Sequence, residues 1–187
     1  MILTRPLYQP VETLENEIPL QPCVERMAMM VAVLGDRTGT LVDLGCHTGW
    51  FCRAFSRLGW DAIGIDQSAD WIEVAISLRT AWDFDRLPAY RVANLRDSGI
   101  PKSDVALCLS MVMYLFQEGF YTGWTFLQRV SDAAPMMFLD FGGMYAKHLP
   151  FTEETAIEEI VRRTSYKEGR LLGHSQFESR PLFLFTR

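Results

Sequence analysis

The chain contains no apolar run near the ~20 residues needed to cross a bilayer, so no membrane-spanning helix is expected. Histidine is scarce, with three in 187 residues, and the four cysteines (Cys23, Cys46, Cys52, Cys108) show no Cys-x-x-Cys spacing. A zinc site or a dithiol redox pair is therefore unsupported, and no metal is expected. Four buried thiols in a reducing compartment fit the pattern better. An excess of positive charge is also missing. The net charge of −5 and pI near 5.2 argue against nonspecific nucleic-acid binding, which runs on clustered Lys and Arg. The small basic group Arg162, Arg163, Lys167 and Arg170 reads as the solvated side of a helix and turn. There is no internal repeat, no low-complexity tract and no second-domain linker. The opening Met1-Ile2-Leu3-Thr4-Arg5-Pro6 lacks the basic-then-apolar order of a signal peptide, and a cytoplasmic protein is expected.

What the chain does have is apolar material: 49% hydrophobic and 12% aromatic residues, enough for a sizeable core in one domain. Residues 1–23 are rich in proline and polar residues and read as an N-terminal arm. The remainder, 24–187, reads as one α/β domain. After a helix over 24–34, strands are expected near 40–44, 61–65, 89–93, 104–109 and 135–140, with helices at 49–58, 68–80, 119–131 and 152–164. Runs such as Val105-Ala106-Leu107-Cys108-Leu109 are apolar on both faces, as a parallel sheet sandwiched between helices requires. Near the end, Leu171–Phe177 and Pro181–Phe185 are strand-like runs joined by a short polar link. So short a link cannot make a parallel crossover, so an antiparallel hairpin is expected. The fold class is a doubly wound, mostly parallel Rossmann-like sheet of seven strands with a C-terminal antiparallel hairpin.

The most informative stretch is Leu41-Val42-Asp43-Leu44-Gly45-Cys46-His47-Thr48-Gly49-Trp50-Phe51. An apolar run ends in an acid, then a two-glycine turn, then a helical pattern. Glycines suit a loop that brings bare backbone close to a ligand. A second acid, Asp66, ends the run Ala62-Ile63-Gly64-Ile65, where it can accept from the two hydroxyls of a ribose. Together these residues indicate a nucleoside-containing cofactor.

In their order, these segments resemble the class I S-adenosylmethionine-dependent methyltransferases over roughly residues 24–187. Asp43-Leu-Gly45-Cys-His47-Thr-Gly49 is similar to the family's first motif, acid-x-Gly-x-Gly-x-Gly, with His47 in place of the middle glycine. Gly64-Ile65-Asp66-Gln67-Ser68 resembles the second. Val92-Ala93-Asn94-Leu95 matches the segment that touches adenine in relatives, and Ser110–Leu115 falls at the fourth motif. The resemblance implies S-adenosylmethionine as cofactor. The backbone from Gly45 through Cys46 and His47 to Gly49 would then wrap its methionine and ribose, with Asp43 orienting the amino group. Asp66 would take the ribose hydroxyls, Gln67 and Asn94 with the Leu95 backbone would meet the adenine, and Ser110 would lie near the sulfonium. His47 either hydrogen-bonds within its loop or intrudes on the methionine part of the pocket.

The resemblance leaves the acceptor open. The fourth motif lacks the Asp/Asn-Pro-Pro-Tyr sequence of amino-directed nucleic-acid enzymes. The tail Ser179-Arg180-Pro181-Leu182-Phe183-Leu184-Phe185 is similar to the closing strand of two groups that methylate oxygen, one capping RNA 5′ phosphates and one terminating bacterial O-antigen polysaccharides. The acidic charge disfavours RNA, so a sugar, a polysaccharide end or another small metabolite is expected as partner. A hydroxyl acceptor usually needs a base. The candidates are His148, in the loop after the fifth strand, and Asp140, at that strand's end; His174 reads as structural. Tyr114 and Tyr8 are expected to line the acceptor side, the latter on an arm that folds over it. Two other readings stay open. One is a catalytically silent methyltransferase-like binding protein. The other is a nicotinamide-dependent oxidoreductase, which would want G-x-G-x-x-G where Gly45 and Gly49 stand four apart with no glycine between.

Overall fold

The computed structural model describes residues 21–80, 86–141, 143–175 and 179–187. Helix α1 (Gln21–Leu34) leads into β1 (Thr40–Leu44), α2 (Trp50–Arg57), β2 (Asp61–Asp66), α3 (Ala69–Thr80) and β3 (Ala89–Val92). The second half runs β4 (Val105–Leu109), α4 (Val112–Glu118), α5 (Phe120–Ala133), β5 (Met136–Asp140), a 3-10 helix (Gly143–His148), α6 (Ala156–Arg163), β6 (Glu168–His174) and β7 (Pro181–Thr186). The seven strands form one sheet in the order β3-β2-β1-β4-β5-β7-β6. Neighbours from β3 to β5 pair in parallel, and β7 runs antiparallel between β5 and β6.

The central strands are apolar on both faces because helices cover both. β4 is buried at every position, as are the first five residues of β7. One core layer packs Val42, Leu44, Cys108, Phe126, Leu127, Met137 and Phe183. The other packs Met30, Leu41, Phe51, Phe55, Leu107 and Phe138. Burial of such side chains stabilises by about 1.5–3 kcal/mol each. The edge strands behave differently. β3 is mostly exposed, and β6 carries Glu168, Arg170 and an exposed His174, whose Nε2 lies 2.6 Å from Glu153 Oε1. Charges of this kind keep an edge from pairing with another chain.

The expected strands and the closing hairpin form, and three departures have local causes. α1 begins at Gln21, three residues before the expected start, and its one buried basic side chain, Arg26, reaches across to the sheet. The segment after β4 coils into α4, because Val112, Met113, Leu115 and Phe116 place one face against the core before Gly119 ends it. The expected loop holding His148 is a 3-10 turn. Tyr8 lies outside the described residues.

The strand order reverses between β1 and β4: from β1 the chain winds outward to β2 and β3, and from β4 to β5. Doubly wound sheets bind ligands at the carboxyl edge of that switch point. The loop after β1, the loop after β4 and the ends of β2 and β5 all converge there.

Candidate active site

At the end of β1 the chain turns sharply. Gly45 (φ 82°), His47 (φ 51°) and Gly49 (φ 75°) all adopt left-handed backbone. At Gly45 an added Cβ would come within 3.0 Å of Met111 Cβ, and at Gly49 it would run into the Tyr90 ring. Both positions therefore require glycine on conformation and on space. The loop is pinned from below: Gly45 N and Cys46 N donate to the Ile65 carbonyl at 2.8 and 3.0 Å.

Asp66, half-buried at the end of β2, ties this loop to the next helix. Its Oδ2 accepts from His47 N at 2.9 Å and its Oδ1 from Ser68 N at 2.9 Å. A carboxylate has about four lone-pair sites, so each oxygen keeps acceptor capacity for a ligand. The His47 ring lies 4.1 Å from that of Trp71 on α3, tilted by 34°. The imidazole thus packs on the α3 side, and burial lowers its pKa, keeping it neutral. Trp71 was not singled out by the sequence, where it reads as one apolar residue of an amphipathic helix. Gln67 is exposed beside Asp66.

Asp43 is only 2% exposed. Burial pushes its carboxyl up to about 7, against which a hydrogen bond from Cys52 Sγ (3.7 Å) pulls down while the Asp66 charge adds to the rise. The thiols of Cys46, Cys52 and Cys108 are likewise raised, above all by burial, and stay protonated. Because the folded state holds the Asp43 proton more tightly than the unfolded chain does, stability falls as pH climbs from about 4 to about 7. Asp43→Asn is expected to stabilise the protein at pH 8 by a few kcal/mol, about 4 at most, and to be near neutral at pH 4. Urea unfolding at both pH values measures this, and equal effects at the two would contradict it.

A second cluster occupies the ends of β4, β5 and β7. Asp140, fully buried, forms an ion pair with the Nη1 of Arg26 on α1. Its Oδ1 accepts from the backbone N of Ser110 and, at 3.0 Å, from Ser110 Oγ. Ser110 sits at φ 56°, a left-handed conformation for a non-glycine residue, and these bonds hold it there. Arg26 Nη1 also donates to Ser110 Oγ at 3.2 Å, and Arg180 Nη1 does so at 2.8 Å. Arg26 further stacks over Phe51, 5.4 Å from the ring centroid. Neither Arg26 nor this use of Arg180 was foreseen.

The remaining residues are more dispersed. Asn94 is exposed and closes a turn, its Oδ1 accepting from Arg96 N at 2.9 Å, while Leu95 is buried beneath it. Tyr114 on α4 is 47% exposed. His148 is half-buried at the end of the 3-10 helix. Among the described residues no group of His, Cys, Asp and Glu could hold a metal, and no helix is long and apolar enough to cross a membrane.

Comparison with known proteins agrees with this geometry. Residues 42–131 match the family model of a methyltransferase domain. No curated protein sequence matches the chain. Among solved structures, the bifunctional kinase-methyltransferase WbdD is similar, with 22% identity and TM-score 0.68 over 88% of this chain. The chain spans only 38% of that protein's length. Magnesium protoporphyrin IX methyltransferase (ChlM) from Synechocystis PCC 6803, solved with bound S-adenosylmethionine, is 17% identical with TM-score 0.67, covering 89% of this chain and 78% of that one. The PH0226 protein from Pyrococcus horikoshii OT3 is 13% identical with TM-score 0.69, covering 98% and 96%. At such identities the likeness is one of fold, and the family model and the ordered motifs carry the rest. Residues 42–131 thus carry a methyltransferase domain in a Rossmann-like fold, consistent with a class I S-adenosylmethionine-dependent methyltransferase.

Proposed function

We propose that the chain transfers a methyl group from S-adenosylmethionine to an oxygen of a sugar, a polysaccharide end or another small metabolite. One observation carries the donor half: a left-handed glycine loop at the switch point, flanked by the two acids Asp43 and Asp66. The donor set suits a cationic nucleoside. Asp43 is an acid buried against its own charge, which a neighbouring cation would relieve, and Asp66 has acceptor capacity for ribose hydroxyls. The packing of His47 against Trp71 supports a loop that accepts the cofactor rather than one plugged by imidazole.

When bound, the cofactor supplies an activated methyl on a sulfonium. The chain's part is to hold the acceptor in line, exclude water and accept a proton. Tyr114 and the arm bearing Tyr8 would line the acceptor side. His148 is the proposed base. Asp140 is a poorer one, because its oxygens already serve Arg26 and Ser110; its role is to position both.

Calorimetry with S-adenosylmethionine, S-adenosylhomocysteine and NAD tests the reading. The first two are expected to bind at micromolar concentration and NAD not to bind, with affinity rising from pH 6 to pH 8 as Asp43 gives up its proton. Tighter binding of NAD, or no binding of either methionine derivative, would overturn it. With an acceptor found by S-adenosylhomocysteine release, His148→Ala is expected to slow turnover by roughly 100-fold; unchanged turnover would remove His148 as base.

A further inference from the structure

The segment that leaves β3 is shaped by side chains rather than by a helix or strand. Ala93 N donates to the Asp66 carbonyl at 2.9 Å, so the segment starts against the backbone of the β2 acid, at the carboxyl edge of the sheet. Asn94 then closes a turn with its two oxygens. Its carbonyl accepts from Asp97 N at 3.2 Å and Ser98 N at 2.9 Å, and its Oδ1 accepts from Arg96 N at 2.9 Å. Only the oxygens of Asn94 serve this turn, which leaves its carboxamide NH2, on an exposed side chain, as a donor. The carbonyls of the same turn are bound from a second element. Arg129, half-buried on α5, takes three of them: Nη1 donates to Leu95 O at 3.2 Å and to Arg96 O at 2.7 Å, and Nη2 donates to Ser98 O. Arg91 on β3 takes the next, its Nη2 donating to Gly99 O at 2.8 Å. A guanidinium carries its N–H donors in one rigid plane. Bridging three carbonyls with one such group fixes their relative orientation, which separate water molecules would not.

We infer that Arg129 is a positioning residue for recognition of the cofactor's base: it holds the 94–98 turn so that the Asn94 carboxamide donates to N1 of adenine. This rests on the methyltransferase reading, which brings adenine to Asn94. Arg129 itself touches no cofactor and acts through the turn. The chemistry makes the contact selective. Adenine N1 is an acceptor, whereas hypoxanthine carries a hydrogen there, so a donor held in place meets another donor and both go unpaired. A turn free to reorient could offer Asn94 Oδ1 instead and would lose that selectivity.

Calorimetric titration with S-adenosylhomocysteine and with S-inosylhomocysteine, which differs in carrying hypoxanthine, provides the test. The unaltered protein is expected to favour the adenine compound by at least ~10-fold. Arg129→Ala is expected to lower its affinity for that compound by ~10-fold and for the inosine compound by less than ~3-fold, so that the preference collapses. Arg129→Lys, a single ammonium in place of a planar fork, should keep part of the preference. In an Asn94→Ala background, Arg129→Ala should cost less than ~2-fold more, because the two residues act in series. Arg91 and the bonds of Asn94 still close the turn in Arg129→Ala, so this variant is expected to fold, and urea unfolding checks it. Should it not fold, Arg129→Lys carries the same comparison. Equal losses for the two ligands, an unchanged preference, or additive effects in the double variant would overturn the inference. Binding of S-adenosylhomocysteine without preference over the inosine compound in the unaltered protein would overturn it alone. Failure of the methyltransferase reading shows separately, as absence of S-adenosylhomocysteine binding in the unaltered protein.

Discussion

Asp140→Ala is expected to destabilise the protein by about 3–5 kcal/mol, the cost of leaving a buried charge without its counter-ion. Arg26 is 2% exposed and Asp140 is fully buried, so neither charge can turn to solvent when the other is lost. The same substitution strips the acceptor from the backbone N of Ser110, which is held at φ 56° by that bond. The comparison that isolates the charge is Arg26→Leu with Asp140→Leu together. Removing both charges is expected to recover much of the loss, because apolar replacements of a buried pair are often neutral. Chemical unfolding of the two single variants and the double variant gives the coupling directly. A cost under 1 kcal/mol for Asp140→Ala would mean that Arg26 finds another partner, and the pair would no longer explain how α1 is fastened to the sheet.

That fastening is also where the sequence was least readable. Strands such as Val105–Leu109 stand out because a fully covered parallel strand must be continuously apolar, and nothing nearby competes with that pattern. The hairpin follows from the length of its link alone. Arg26 gives no such sign. It is one basic residue in a helix, and its partners Ser110 and Asp140 lie 84 and 114 positions away, so only the assembled topology brings them together. Trp71 is similar: its meaning comes from a His47 ring turned toward α3 by a left-handed backbone. α4 was missed for a different reason. Seven residues following directly on a strand make under two helical turns, too few repeats of the period to be told from more strand. Asn94, which the resemblance places at the adenine, accepts from Arg96 N as an asparagine in a turn does.

The cofactor half of the site is tested most sharply at Asp66. Its carboxylate does two things at once: it accepts from His47 N and Ser68 N, fixing the glycine loop against the start of α3, and it offers further acceptor sites to ribose hydroxyls. Hydrogen bonds to a charged group are worth about 1.5–3 kcal/mol each. Losing two to the ribose gives an expected fall in S-adenosylhomocysteine affinity of at least ~100-fold in Asp66→Ala. Asp66→Asn keeps the side chain's shape and one carbonyl oxygen, so a fall of roughly 10-fold is expected, the loss of about one such bond. Thermal unfolding provides an independent readout. At a ligand concentration 100 times its dissociation constant, the unaltered protein should gain about 2.7 kcal/mol. Asp66→Ala at that same concentration should gain almost none. If Asp66→Ala bound the cofactor as tightly as the unaltered protein, the ribose would have to lie elsewhere. The acid at the end of β2 would then be only a brace for the loop that His47 and Gly49 complete.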